Sequence, residues 1–174
     1  MNRSVVFLTR TAVLLALTLA IQMIGMPQYA TGPLVNTMLY IAATFVGIGG
    51  GVAIGVVTPV IAFWRGILPP PLGPMIPFIA IGNAVLVIVF GLLERRGRLA
   101  AIVGIVAASV LKFLVLSGAV RFVVQVKPAI ANMMQTPQLV TALAGGAIAF
   151  VVSEALLRTG AVKRLSDLSK RRES

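Results

Sequence analysis

Two residue types are missing from this 174-residue chain, cysteine and histidine. Their absence removes thiolate chemistry, zinc sites built on Cys or His, haem ligation by these residues and imidazole acid–base catalysis. Acid is scarce too: Glu94, Glu154, Asp167 and Glu173 are the full set, all in or near segments expected on the cytoplasmic side. A paired-carboxylate active site is therefore not expected. Charge of either sign makes up 11% of the chain and apolar residues 59%, against about 25% and about 45–50% in soluble domains. With a mean hydropathy of +1.03 and apolar segments of helical length recurring along nearly the whole chain, the composition is that of an integral membrane protein. One compact membrane domain accounts for the length.

What charge there is has one sign. The net charge of +11 raises nucleic-acid binding as a possibility, and its distribution argues against it. Six of the fifteen basic residues lie between Arg158 and Arg172, and three more are Arg95, Arg96 and Arg98. Short cationic clusters flanking apolar spans are what the positive-inside rule expects. Arg3 and Arg10 precede a long apolar run with no small-residue cleavage site followed by a soluble domain, so this run is expected to be the first membrane helix and not a removed signal.

Six helices are expected, over about Val5–Ile24, two within Leu34–Trp64, then Met75–Leu93, Leu99–Val123 and Leu139–Leu157. The 31-residue stretch Leu34–Trp64 is long for one span and short for two at roughly 20 residues per crossing. Charge decides it. Divided at Gly47-Ile48-Gly49-Gly50-Gly51, it places both termini and Arg95–Arg98 in the cytoplasm, with eleven basic residues inside and only Arg65, Arg121 and Lys127 outside. Two short helices can cross through local thinning or burial in the bundle. The fold class is therefore an all-α, six-helix membrane bundle in residues 1–160, with a basic cytoplasmic tail over 161–174. Three outer loops follow: Gly25–Pro33, Arg65–Pro74 and Gln125–Gln138. Chemical complexity is concentrated there, the opposite of what an enzyme acting on cytosolic substrates would show.

The stretch from Thr58 to Asn83 stands out, with Trp64-Arg65, then Pro69-Pro70-Pro71, then a helix carrying Gly82-Asn83. Trp64 and Arg65 suit an interfacial anchor and equally a guanidinium aimed at a carboxylate or phosphate. Lys112 lies inside the fifth helix, where a lysine costs about 2.5–3.5 kcal/mol on insertion scales. It either snorkels to an interface or faces a polar cavity or bound anion, and no acid is expected at its depth. Asn36 and Asn83 are amides on apolar helices and need partners in a low dielectric; interhelical bonding and substrate contact both satisfy that. Tyr40 and Gln135, with Tyr29, Gln22 and Gln28, are weaker candidates for an outer vestibule. Met26, Met75, Met133 and Met134 can supply adaptable apolar contacts or simple packing. Ala12, Ala16 and Ala20 share one helical face and permit close approach of another helix, in this chain or a partner. Gly49-Gly50-Gly51 lacks the Lys-Ser/Thr of a Walker motif, and no such motif occurs elsewhere.

These residues resemble a known family, the substrate-binding S-components of energy-coupling factor (ECF) vitamin transporters. The likeness covers nearly the whole chain. It rests on size, six helices with both ends inside, the Ala12/Ala16/Ala20 face, and the segments Gly32-Pro33-Leu34-Val35-Asn36 and Pro77-Phe78-Ile79-Ala80-Ile81-Gly82-Asn83. The resemblance implies a non-catalytic transport subunit of the cell membrane that captures a vitamin or related micronutrient at the extracellular face. It would then dock on a transmembrane T subunit coupled to two cytosolic ATPases, toppling in the bilayer to deliver its cargo. The chain itself would hold no cofactor, ATP being used by the partner ATPases. Ala12, Ala16 and Ala20 become docking residues; the substrate residues do not carry over. With Arg65, Lys112, Arg121 and Lys127 and no acid in the outer half, the ligand is expected to be anionic or neutral, a vitamin-sized carboxylate first, and not a cation. The substrate candidates are Arg65, Lys112, Asn36, Trp64, Tyr40, Asn83 and Gln135. The alternative is a structural or assembly subunit of a membrane complex; a membrane enzyme is the third reading. Nucleic acid and metal are not expected.

Overall fold

Glycine and proline divide the chain into its elements. The computed structural model describes residues 3–159, so the expected basic tail and its boundary at 160/161 lie outside the described residues. The long helices are α1 (Arg3–Met23), α2 (Gln28–Phe45), α3 (Ile48–Trp64), α4 (Ile76–Leu93), α5 (Arg98–Gly118) and α7 (Thr136–Arg158); a short α6 (Pro128–Met133) precedes the last. No strand occurs among the described residues. The α2–α3 break falls where the sequence places it. Gly47 has φ +96°, a left-handed conformation that side chains resist, and its N–H closes on Ala42 O at 3.0 Å.

The three expected loops are all shorter than the sequence suggests, because proline starts turns as well as ending them. The first ends at Gln28, not after Pro33. Ala30 and Thr31 N–H groups donate to Pro27 O at 2.9 and 3.0 Å, and Thr31 Oγ1 donates to Met26 O at 2.8 Å. Pro33 is carried inside α2, and Asn36 therefore lies about two turns into the helix, at 3.6 residues per turn, and does not begin it. In the second loop, Pro70–Met75 forms a 3-10 turn that buries Leu72 and Met75. In the third, Pro128 opens α6 and Thr136 already belongs to α7. The expected fifth helix keeps its extent, but its last turn, Ala119–Val123, winds as a π turn.

Among the described residues, four segments are long and apolar enough to cross a membrane: Arg3–Met23, Pro70–Arg96, Arg98–Val123 and Pro128–Arg158; α3 is apolar and shorter. The middle of α2 carries Asn36, Thr37 and Tyr40 and buries all three. It packs on α1, α3, α4 and α7, so neighbouring helices shield its polar groups from lipid. Around it lies the main core, including Leu39, Tyr40, Ile54, Leu86, Val87 and Phe90. Small residues set the spacing between helices. A Cβ on Gly145 would sit 2.6 Å from Pro33 O and 2.7 Å from Asn36 Cβ, so glycine there lets α7 touch α2.

By contrast, α1 buries only Thr18. Phe7, Leu8, Val13 and Leu17 are exposed on it, which suits lipid or a partner and not water. A second apolar cluster of Leu72, Met75, Leu116, Ala119, Ile130 and Met134 closes the end of the bundle where the three proline-bearing connections meet. This is the loop end. The opposite, arginine end gathers Glu94, Arg95, Arg96, Arg98, Glu154 and Arg158.

Candidate functional site

Lys112 on α5 is buried, 4% exposed, and does not snorkel to an edge. Its Nζ donates to Asn36 Oδ1 at 2.6 Å and to Asn83 Oδ1 at 2.8 Å. Neither described carboxylate reaches it. Glu94 is bonded to Thr44, and Glu154 pairs with Arg98 and Arg158. Two neutral amides therefore solvate this cation, each fixed from behind.

The fixing of Asn83 begins with a proline on another helix. Pro59 lies within α3 and has no N–H to give the carbonyl four residues back, which is Gly55 O. Asn83 Nδ2 supplies that bond instead, at 2.9 Å. Gly55 admits the asparagine, since a Cβ there would stand 3.0 Å from Asn83 Cβ. With Nδ2 held by a backbone carbonyl, Oδ1 is turned to Lys112. Asn36 is held by α7: its Nδ2 lies 3.5 Å from Thr141 Oγ1, whose hydroxyl donates to Gln138 O at 3.1 Å. Beside it, the Thr37 hydroxyl lies 2.8 Å from Pro33 O and 3.1 Å from Gly145 O, tying α2 to α7.

Lys112, Asn36 and Asn83 line a cavity of about 200 Å³ at the loop end. Gln22, Gln28 and Gln138 add neutral amides, and Met26, Val35, Leu68, Leu72, Ile79 and Met134 give it apolar walls. The volume lies below the roughly 300–1,000 Å³ usual for drug-sized ligands, which favours a small molecule. A lone cation among neutral acceptors and apolar walls is equipped to receive an acceptor group, best an anionic one.

Of the candidates drawn from sequence, the structure brings together Lys112, Asn36 and Asn83. Asn83 serves both readings made of it, since it bonds across helices and lines the cavity. Trp64 is 84% exposed, and Arg65 is exposed next to it; neither lines the cavity. Tyr40 is fully buried in the core, its hydroxyl 3.0 Å from Ser109 Oγ and its ring edge-on to Phe90. Gln135 caps α6 by donating to Ala131 O at 3.1 Å and accepts from Arg121 at 3.4 Å. Tyr29 is exposed outside the cavity. Ala12, Ala16 and Ala20 are exposed along α1. The reading from sequence passed over Gly55, Pro59 and Thr141. The signal for the first two was present: a proline four residues after a glycine within one apolar helix frees a carbonyl where another helix can come close.

A second cavity, of about 220 Å³, lies at the arginine end and is lined by Thr44, Glu94, Arg98, Ser153 and Glu154 among others. Its charges are answered within the fold. Thr44 Oγ1 donates to Glu94 Oε2 at 2.7 Å, and Glu154 meets Arg98 at 3.0 Å and Arg158 at 3.6 Å.

No curated protein and no solved structure matches the chain. A family model described as "ECF transporter, substrate-specific component" matches residues 6–157. That match runs from the first turns of α1 to the last of α7 and takes in the apolar spans, the lysine–amide cluster and the whole lining of its cavity. The chain thus belongs to the substrate-specific components of ECF transporters, and is a multi-pass, substrate-binding subunit of the plasma membrane.

Proposed function

We propose that this subunit captures a vitamin or related micronutrient, anionic or neutral, in the loop-end cavity, with Lys112 as its anchor. The observation that carries this reading is a buried lysine held by two amide oxygens and by no carboxylate. An ammonium has three N–H donors. Asn36 and Asn83 accept two, so one remains for a ligand acceptor. A carboxylate adds the charge that the cluster lacks, whereas a cationic ligand would meet like charge in a low dielectric. The loop end is the extracellular end in this reading, because the basic clusters of the opposite end belong inside.

Membership in the family implies a T subunit, ATPase subunits and a small-molecule substrate. Delivery would follow docking of α1 on the T subunit, with ATP used by two cytosolic ATPases and no cofactor held in this chain. Ala12, Ala16 and Ala20 are the proposed docking face, supported by their small size, their spacing and their exposure.

Mass spectrometry of the small molecules retained by the purified protein tests the capture step. Lys112→Met should abolish retention of whatever the native protein carries, with helicity unchanged by circular dichroism. Loss of one charged hydrogen bond corresponds to about 1.5–3 kcal/mol, a roughly ten- to hundredfold loss of affinity. Undiminished retention would remove Lys112 from the site. Ala16→Trp tests docking separately: copurification with the T subunit should be lost while ligand retention persists, and intact assembly would rule the face out.

A further inference from the structure

Gln22 lies in the last turn of α1 and lines the same cavity. Its side-chain Oε1 is buried and accepts no hydrogen bond. A buried carbonyl oxygen without a donor is costly, and native folds rarely leave one. The other such atom among the described residues, Ser117 Oγ, does not belong to a residue lining this cavity. Among the residues that line the cavity, then, Lys112 has a donor to offer and Gln22 has an acceptor that nothing answers.

These two groups sit at different depths. Lys112 is six residues inside the end of α5, about 9 Å at 1.5 Å per residue, whereas Gln22 is one residue from the end of α1. The chain turns sharply just beyond Gln22, where Gly25 has φ +73° and its N–H approaches Gln22 O at 3.3 Å. This fixes the residue at the rim of the cavity while Lys112 forms part of its depth.

We infer that Gln22 is a second ligand contact, and that the substrate is a small carboxylate bearing an O–H or N–H donor away from its acid group: the acid meets Lys112 and the donor meets Gln22 Oε1. This rests on the capture reading above and narrows it. A plain fatty acid or an unsubstituted aromatic acid would satisfy Lys112 and leave Gln22 unanswered. A hydroxy acid or an amide- or urea-bearing acid would satisfy both. Gln28 and Gln138, also in the lining, add neutral polar groups and no second charge, so the far end of the ligand is uncharged.

The experiment uses the full chain in lipid nanodiscs and a panel of small carboxylates on several carbon skeletons. Each skeleton is supplied as the hydroxy acid, its O-methyl ether and its primary amide, and binding is measured by calorimetry. The wild type should bind the hydroxy acid roughly tenfold or more tightly than the ether, the effect of one buried acceptor left unpaired. Gln22→Met, similar in volume, should bring the two within about twofold of each other while keeping the preference for acid over amide. Equal binding of hydroxy acid and ether by the wild type overturns the inference, as does a preference that survives in Gln22→Met. Should the ether bind better, the Gln22 amide faces the cavity through its NH2 group, which also overturns it. The capture reading fails differently: the wild type would bind none of the panel, and Lys112→Met would retain the native small molecule undiminished.

Discussion

The two ends of this bundle hold cavities of nearly the same size, about 200 Å³ at the loop end and about 220 Å³ at the arginine end. What differs is how their charges are answered. At the arginine end, Glu94 has the Thr44 hydroxyl and the opposite charge of Arg95 close by, and Glu154 has two guanidinium groups. At the loop end, Lys112 has only the oxygens of two amides. The comparison teaches that volume does not mark a binding site in this fold. If the loop-end cavity is the site, as proposed, its mark is a charge that the protein solvates without neutralising. Holding a buried cation by neutral oxygens alone costs the fold stability, and in the proposed reading a bound anion would recover part of that cost.

Putting the missing charge into the protein is the strongest way to break the contrast. Asn36→Asp would set a carboxylate against Lys112 and make the loop end resemble the arginine end. Carboxylate binding should fall roughly ten- to hundredfold, the range of one charged hydrogen bond, with the folded state retained by circular dichroism. Calorimetry with the carboxylate panel reads it, and unchanged affinity would mean that Lys112 does not meet the acid. A smaller effect sharpens the role of the backbone. Pro59→Ala returns an N–H to Gly55 O, so Asn83 Nδ2 loses its sole claim on that carbonyl. Binding should weaken roughly three- to tenfold, about one neutral hydrogen bond's worth, while thermal stability holds or rises. Affinity equal to wild type would show that Asn83 needs no such anchor. The smallest effect belongs to the other end. Arg98→Ala removes an exposed ion pair, about 0.2–1 kcal/mol of stability that fades with added salt, and should leave ligand affinity untouched. Weakened binding in that variant would show that the two ends do not act independently.

The long helices were legible because lipid imposes one rule over some twenty residues at a time. The same rule says nothing about short segments that other protein groups cover. The Pro70–Met75 turn, the π turn at Ala119–Val123 and α6 each exist because Leu72, Met75, Ala119 and Ile130 pack together over the bundle, a tertiary cause that no local pattern announces. The site divides in the same way. Lys112, Asn36 and Asn83 declare themselves as polar groups where none should be. Trp64 and Arg65 stand out as much in the sequence, yet they lie on the surface beside the cavity and not in its lining. Unusual chemistry at a membrane boundary has two causes, anchoring and recognition, and composition does not separate them. Gly55 and Pro59 contribute through a backbone carbonyl that neither side chain reveals.

The order of the chain gives the lysine–amide cluster a consequence during synthesis. Asn36 and Asn83 both precede Lys112, on α2 and α4. A polypeptide entering the bilayer from its N-terminus therefore delivers the two acceptors first and the cation last. The lysine-bearing helix thus arrives with its acceptor groups already in the membrane.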